Sequence, residues 1–136
     1  MEAKPFLCPC QSGKLYSDCC EPFHLGKEPE HPLELMRSRY AAYVLNLPDY
    51  IMRTTHPFND GFKSDQEEWR QEIAMFCTST QFCGLSIESF HENGNSGEVT
   101  FRAQLKQNDE DVSFTEISTF EKVQGRWLYR SGMFCR

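Results

Sequence analysis

The residues of this chain best placed to do chemistry are Cys8, Cys10, Cys19 and Cys20, and the chemistry is metal ligation. They form two short hooks, Cys8-Pro9-Cys10 and Cys19-Cys20, joined by a stretch that contains Ser12-Gly13. Zinc takes four soft ligands at tetrahedral corners, about 2.3 Å from the metal, and two hooks on a turn can supply them. The segment is too short and too polar to fold on an apolar core, so ligation is the energy source available to order it. The predicted ligands are Cys8, Cys10, Cys19 and Cys20, with His24 as the alternative to Cys20 and otherwise a surface loop residue. Gly13 can take positive φ, amides of the turn can point at the thiolates, and Lys14 can offset their charge. A filled four-cysteine site leaves no open coordination position, which marks the metal as structural.

A disulfide framework is the rival reading. The opening Met1-Glu2-Ala3-Lys4-Pro5 has no apolar stretch of the secretory type, seven cysteines would leave one unpaired, and a Cys19–Cys20 bridge would be strained. A reduced chain with clustered cysteines is better read as a metal site than as a disulfide or redox pair.

The run Cys8-x-Cys10-x-Ser12-Gly13-x-x-Tyr16-x-x-Cys19-Cys20 resembles the SEC-C motif, known from the C-terminus of the bacterial preprotein translocase ATPase. There the motif binds zinc and docks a secretion chaperone. Gln11 departs from the pattern, where many members carry Gly; it should alter the turn and not the ligation. Further on, Leu35-Met36-Arg37-Ser38-Arg39-Tyr40-Ala41-Ala42-Tyr43, Asp49-Tyr50 and Arg53-Thr54-Thr55-His56-Pro57 are similar to the bacterial YchJ-like family. Glu116 to Phe120 and Gly125 to Tyr129 look like its closing strands. The resemblance implies a SEC-C motif followed by a domain similar to nuclear transport factor 2. Thr115 stands where the family pattern would place a His, which removes that His from any pocket chemistry.

A chain of 136 residues is one domain with a small appendage: a SEC-C-like zinc-binding motif over 1–24, a linker over 25–32 and an α+β domain over 33–136. Net charge is −6, and residues 1–31 set three lysines against five carboxylates. Nucleic-acid binding rests on basic patches, so the charge argues against it, leaving only a small local cluster around Arg37, Arg39 and Arg53. No apolar run approaches a spanning helix, and the reading expects a cytoplasmic protein with no membrane contact.

Residues 21–32 hold three prolines and a glycine and read as irregular. Leu33, Met36, Tyr40, Tyr43, Val44 and Leu47 recur at helical steps, with Arg37, Ser38 and Asn46 off that face, and Pro48 ends the helix. A short helix follows to Thr55, and a third starts at a Ser64 N-cap with Glu67 and runs to about Cys77. The period then changes to two around Leu85 to Phe90 and Val99 to Leu105. Gln107 to Asp111 reads as a loop, Val112 to Val123 as a long strand, and Arg126 to Met133 as the last. Helices first and an antiparallel meander after them predict α+β: about three helices on a curved four-stranded sheet, a cone.

Such a cone can enclose a pocket, for which the candidates are Tyr40, His56, Trp69, Arg102, Glu116 and Trp127. Glu116 shares a strand face with Phe114, Ser118 and Phe120; it is an acid or base if buried unpaired, or a structural partner of Arg102. His56 reads as a helix C-terminal residue or a pocket group. Cys77, Cys83 and Cys135 have no partner at a diagnostic spacing and read as buried thiols. The leading expectation is a zinc-binding adaptor that presents Phe6, Leu7, Leu15, Tyr16 and Phe23 to a protein partner. The alternative is a small-molecule binder or enzyme using Glu116 and His56 in the cone. A homodimer through the sheet is a further expectation.

Overall fold

The chain, seen in a computed structural model, is described over residues 5–135; residues 1–4 and 136, the outer ends of the predicted zinc motif and α+β domain, lie outside the described residues. A hairpin opens it. Cys8 N–H donates to Lys14 O, Tyr16 N–H donates to Phe6 O, and Leu7 bridges Leu15. A 3-10 turn, Tyr16–Asp18, leads to a one-turn helix α1, Glu21–His24, so the proline-rich stretch is not wholly irregular. Pro22 at the start of α1 explains this, because proline is at home in a first turn.

Helix α2, Pro32–Val44, begins with Pro32 in its first turn, and the Glu34 carboxylate accepts from His31 N–H at 3.1 Å. It ends where Asn46 takes φ +57° and Leu47 N–H returns to Ala42 O, a left-handed cap that asparagine tolerates. Pro48 therefore opens the next helix, α3, Pro48–Arg53, and does not itself stop α2. Helix α4, Gln66–Ser79, is capped one residue later than the sequence suggests: Asp65, not Ser64, accepts from Glu68 N–H.

Strands β1 (Gln81–Asn93), β2 (Ser96–Gln107), β4 (Phe114–Val123) and β5 (Arg126–Cys135) form an antiparallel sheet in the order β1-β2-β4-β5. The two-residue β3, Glu110–Asp111, pairs with the end of β2 across a turn whose Asn108 and Asp109 both have positive φ. The expected five-residue loop is thus a tight hairpin, and β4 starts at Phe114, after Ser113 has bonded Leu105 N–H. Along β2, Val99, Phe101, Ala103 and Leu105 face inward and the residues between them outward. They pack with Leu35, Met36, Tyr40, Ile51, Trp69, Ile73 and Trp127 in one core. Gly97 leaves room for Pro32 and Trp127; a Cβ there would collide with the Pro32 ring. The fold is α+β, helices on one face of a curved sheet. Among the described residues no helix is long and apolar enough to cross a membrane.

Ser38 corrects the expected one-faced α2. It is fully buried on the side away from the sheet, donates to Leu35 O and meets the Tyr50 hydroxyl at 2.6 Å. One side of α2 covers the sheet, while Ala41 on another packs with Cys8, Cys10, Tyr16 and Cys20.

Candidate functional site

The hairpin and the 3-10 turn bring the four cysteine sulfurs together. All four Sγ atoms lie within 4.8 Å of one another, Cys10–Cys19 at 3.5 Å and Cys19–Cys20 at 3.9 Å. Four sulfurs around a tetrahedral metal, each about 2.3 Å from it, stand about 3.8 Å apart, so this donor set fits such an ion. Cys8, Cys10 and Cys20 are buried, and Cys19 is half-buried. The Cys20 thiol bonding to Cys10 pulls Cys10 down to about 4, whereas burial pushes Cys8 up to about 11. With protons alone, the arrangement favours a thiolate at Cys10 beside thiols at Cys8 and Cys20. A divalent cation would take the place of those protons.

The turn has two left-handed residues, Gln11 at φ +64° and Gly13 at φ +89°. Gln11, the departure from the motif, sits where the backbone asks for glycine. Ser12 Oγ lies 3.1 Å from Cys19 Sγ, and the amide that bonds the Cys8 thiol is that of Cys10. The basic group beside the sulfurs is not the exposed Lys14 but Arg37 of α2, which donates to Cys10 O at 2.9 Å with the same nitrogen 3.9 Å from Cys10 Sγ.

His24 is neither a ligand nor a loose surface residue. Its Nε2 lies 2.8 Å from Ser38 O, which only accepts, so Nε2 carries the proton and Nδ1 accepts from the Tyr16 hydroxyl at 2.6 Å. The ring thereby joins the cysteine turn to α2. Arg53 donates to Phe23 O at 2.8 Å and stacks on Tyr50, adding α3 to the same junction. Arg39 is buried: it donates to Ile51 O, Thr54 and Thr55 and lies over the Tyr129 ring at 4.6 Å. The arginines expected as a local basic patch therefore each tie parts of the chain together, Arg39 from a buried position and Arg53 from an exposed one. Of the predicted partner surface, Phe6, Leu7 and Leu15 are exposed, whereas Tyr16 and Phe23 are buried.

A second feature is a cavity of about 180 Å³ between α2 and the sheet. Of the pocket candidates named from sequence, Tyr40 and Glu116 line it. His56 is buried elsewhere: its Nδ1 accepts from Phe58 N–H, and its Nε2 faces Glu121 at 3.5 Å. Arg102 is on the outer face and reaches Thr115, not Glu116. Trp69 packs on Phe62, and Trp127 donates to Glu30 O. The carboxylate of Glu116 takes its hydrogen bonds from Ser118 and from Tyr129, the latter at 3.1 Å. Arg39 and Tyr129, which sequence reasoning did not assign to the cavity, both line it. Arg39 stands three residues after Met36 and four before Tyr43, a helical spacing that places it on the core face. Tyr129 stands two residues after the core residue Trp127, an alternation that could have found it; the bulge beyond it brings Gly132 to the same face. Cys77 is buried, but Cys83 and Cys135 are exposed, against the expectation of three buried thiols.

Comparison with known proteins bears on both features. The model of the YchJ middle NTF2-like domain matches residues 31–132, and that of the SEC-C motif matches residues 7–22. A UPF0225 protein of Actinobacillus succinogenes is 42% identical over 129 residues, spanning 90% of this chain and 79% of its own length. The solution structure of a SEC-C motif containing protein from Rhodopseudomonas palustris superposes with a TM-score of 0.80 at 33% identity, over 95% of this chain and 98% of that one. The crystal structure of a SEC-C motif containing protein from Psychrobacter arcticus gives a TM-score of 0.75 at 28% identity, over 95% and 82%. With its cysteine cluster ahead of an NTF2-like cone, the chain belongs to the YchJ-like UPF0225 family.

Proposed function

We propose that this protein is a zinc-held adaptor: Cys8, Cys10, Cys19 and Cys20 ligate one structural Zn²⁺, and the rim of the knuckle takes a protein partner. The observation that carries the reading is the convergence of four sulfurs to within 4.8 Å on a segment with little apolar core of its own. Soft thiolates in a closed tetrahedral set suit zinc and leave no position for substrate. The metal's work is then mechanical. It fixes the hairpin so that Phe6, Leu7 and Leu15 stand out to solvent.

Metal analysis of the purified protein, with thiols counted, tests the first half; about one zinc per chain is expected, falling to none in Cys19→Ser/Cys20→Ser. Zinc-free protein with four reactive thiols would overturn it. Capture of a partner tests the second half. Leu7→Ala/Leu15→Ala should lose the partner while zinc content and fold stay intact, because both side chains face outward. Undiminished capture would rule out this rim as the docking surface.

A further inference from the structure

We propose that the cavity of the cone is a binding site for a small, neutral, mostly apolar molecule that carries one hydroxyl or N–H donor, placed against Glu116. The cavity opens to solvent on one side, and its volume suits a small ligand. A void of roughly 150 Å³ lined by apolar side chains admits a benzene ring, so about 180 Å³ admits one ring with a few further atoms. Most of the wall is apolar, with Met36, Phe82, Phe101, Ala103 and Leu105 among its residues. The polar groups gather in one strip: Arg39, Tyr129, Glu116 and Ser118.

That strip is built and not incidental. On β4, Glu116 and Ser118 share the inward face. Opposite Thr119 and Phe120 of β4, β5 carries an extra residue, Arg130, so Tyr129 faces Phe120 while Gly132 faces Ser118, and Tyr129 and Gly132 share the inner face three residues apart. Bulges of this kind re-aim side chains at sites. Gly132 keeps the space clear: a Cβ there would collide with the Tyr129 hydroxyl and come within 2.6 Å of the Glu116 carboxyl carbon. Both hydroxyls converge on one oxygen, Oε2; Oε1 takes no hydrogen bond among the described residues. Burial, and next the charge of Glu116, push the Tyr129 phenol above its usual range, so it keeps its proton and donates.

The chemistry of the ligand follows from what is left open. Oε1 of Glu116 asks for a donor. A full positive charge is not required, because the buried Arg39 guanidinium already lies over the Tyr129 ring that bridges to Glu116. A cation would be repelled by Arg39 and an anion by Glu116, whereas a neutral donor meets neither penalty. A hydrogen bond to a charged acceptor is worth enough to favour a donor over its apolar isostere about tenfold or more.

The test is an NMR and calorimetric titration of the metal-loaded protein with four probes of one size: phenol, toluene, benzylamine and benzoate. Phenol should shift resonances of Glu116, Tyr129 and Ala103, and bind about tenfold or more tighter than each of the others. In Glu116→Gln the two hydroxyls hold the amide oxygen, and the free position becomes an N–H₂ donor. Preference should then pass from phenol to acetophenone, an acceptor. Ala103→Leu, which fills the space without touching the strip, should abolish binding of every probe. No probe binding to the wild type, toluene binding as tightly as phenol, or a charged probe binding more tightly would each overturn the proposal. The wild-type comparison decides even if a variant fails to fold.

Discussion

His24 shows how much one side chain can be asked to join. It carries a proton on Nε2 for Ser38 O and a lone pair on Nδ1 for Tyr16, and burial holds its pKa below 6.5. Both hydrogen bonds need the neutral ring. The sign is fixed by the direction of the shift. In the unfolded chain His24 binds its proton near 6.5, in the folded chain only at lower pH. The stability it supplies is therefore present above pH 6.5 and is lost as pH falls through the folded value. Denaturation midpoints from pH 7.5 to 5.5 should fall more steeply for the wild type than for His24→Gln, which cannot titrate. Loss of metal with acid would act on both proteins alike, so equal slopes would exclude His24 as the source. The cysteine cluster was plain in the sequence because its spacing is local. The role of His24 was not, because its partners, Tyr16 and Ser38, come from opposite sides along the chain.

Helix α4 makes the same point for elements. A Ser64–Glu67 box and an Asp65 cap lie one residue apart in sequence, and both fit the consensus; the structure uses Asp65, whose carboxylate accepts from Glu68 N–H at 3.0 Å. Asp65→Ala should cost about 1 kcal/mol in chemical denaturation, and Ser64→Ala nearly nothing. Equal costs would mean that the cap is shared. The strands were legible wherever one face is wet: β2 alternates cleanly, and its buried residues are those the period of two selects. Where a turn or a bulge decides, the pattern ran out. Asn108-Asp109 turns tightly because both residues accept positive φ, and the register shift in β5 places Tyr129 and Gly132 together in a way no alternation indicates. Glu116 was visible as an inward carboxylate on its strand, but its partners were not, since Tyr129 lies on β5 and Arg102 on the outer face.

At the scale of the whole molecule, the knuckle is not an appendage on a linker. Three ties cross from it to the cone: Arg37 to Cys10 O, His24 to Ser38 O, and Arg53 to Phe23 O. Ala41 of α2 lies in the same buried cluster as the cysteines, with Leu45 packed against it. A metal that orders the knuckle must then also stabilise the cone, because contacts made only by the folded knuckle bear on α2 and α3. Three hydrogen bonds at about 1 kcal/mol each come to about 3 kcal/mol, on the order of 10 °C in Tm for a domain of this size. Stripping the metal with a chelator should lower the cone's melting temperature by about that amount, read from the sheet's circular dichroism. The double variant His24→Ala/Arg53→Ala removes two of the ties. Its metal-loaded form should melt lower than the wild type, and chelation should shift it by only about a third as much. If chelation leaves the wild-type cone's melting temperature unchanged, the two parts fold independently, and the ties across α2 are contacts without thermodynamic weight.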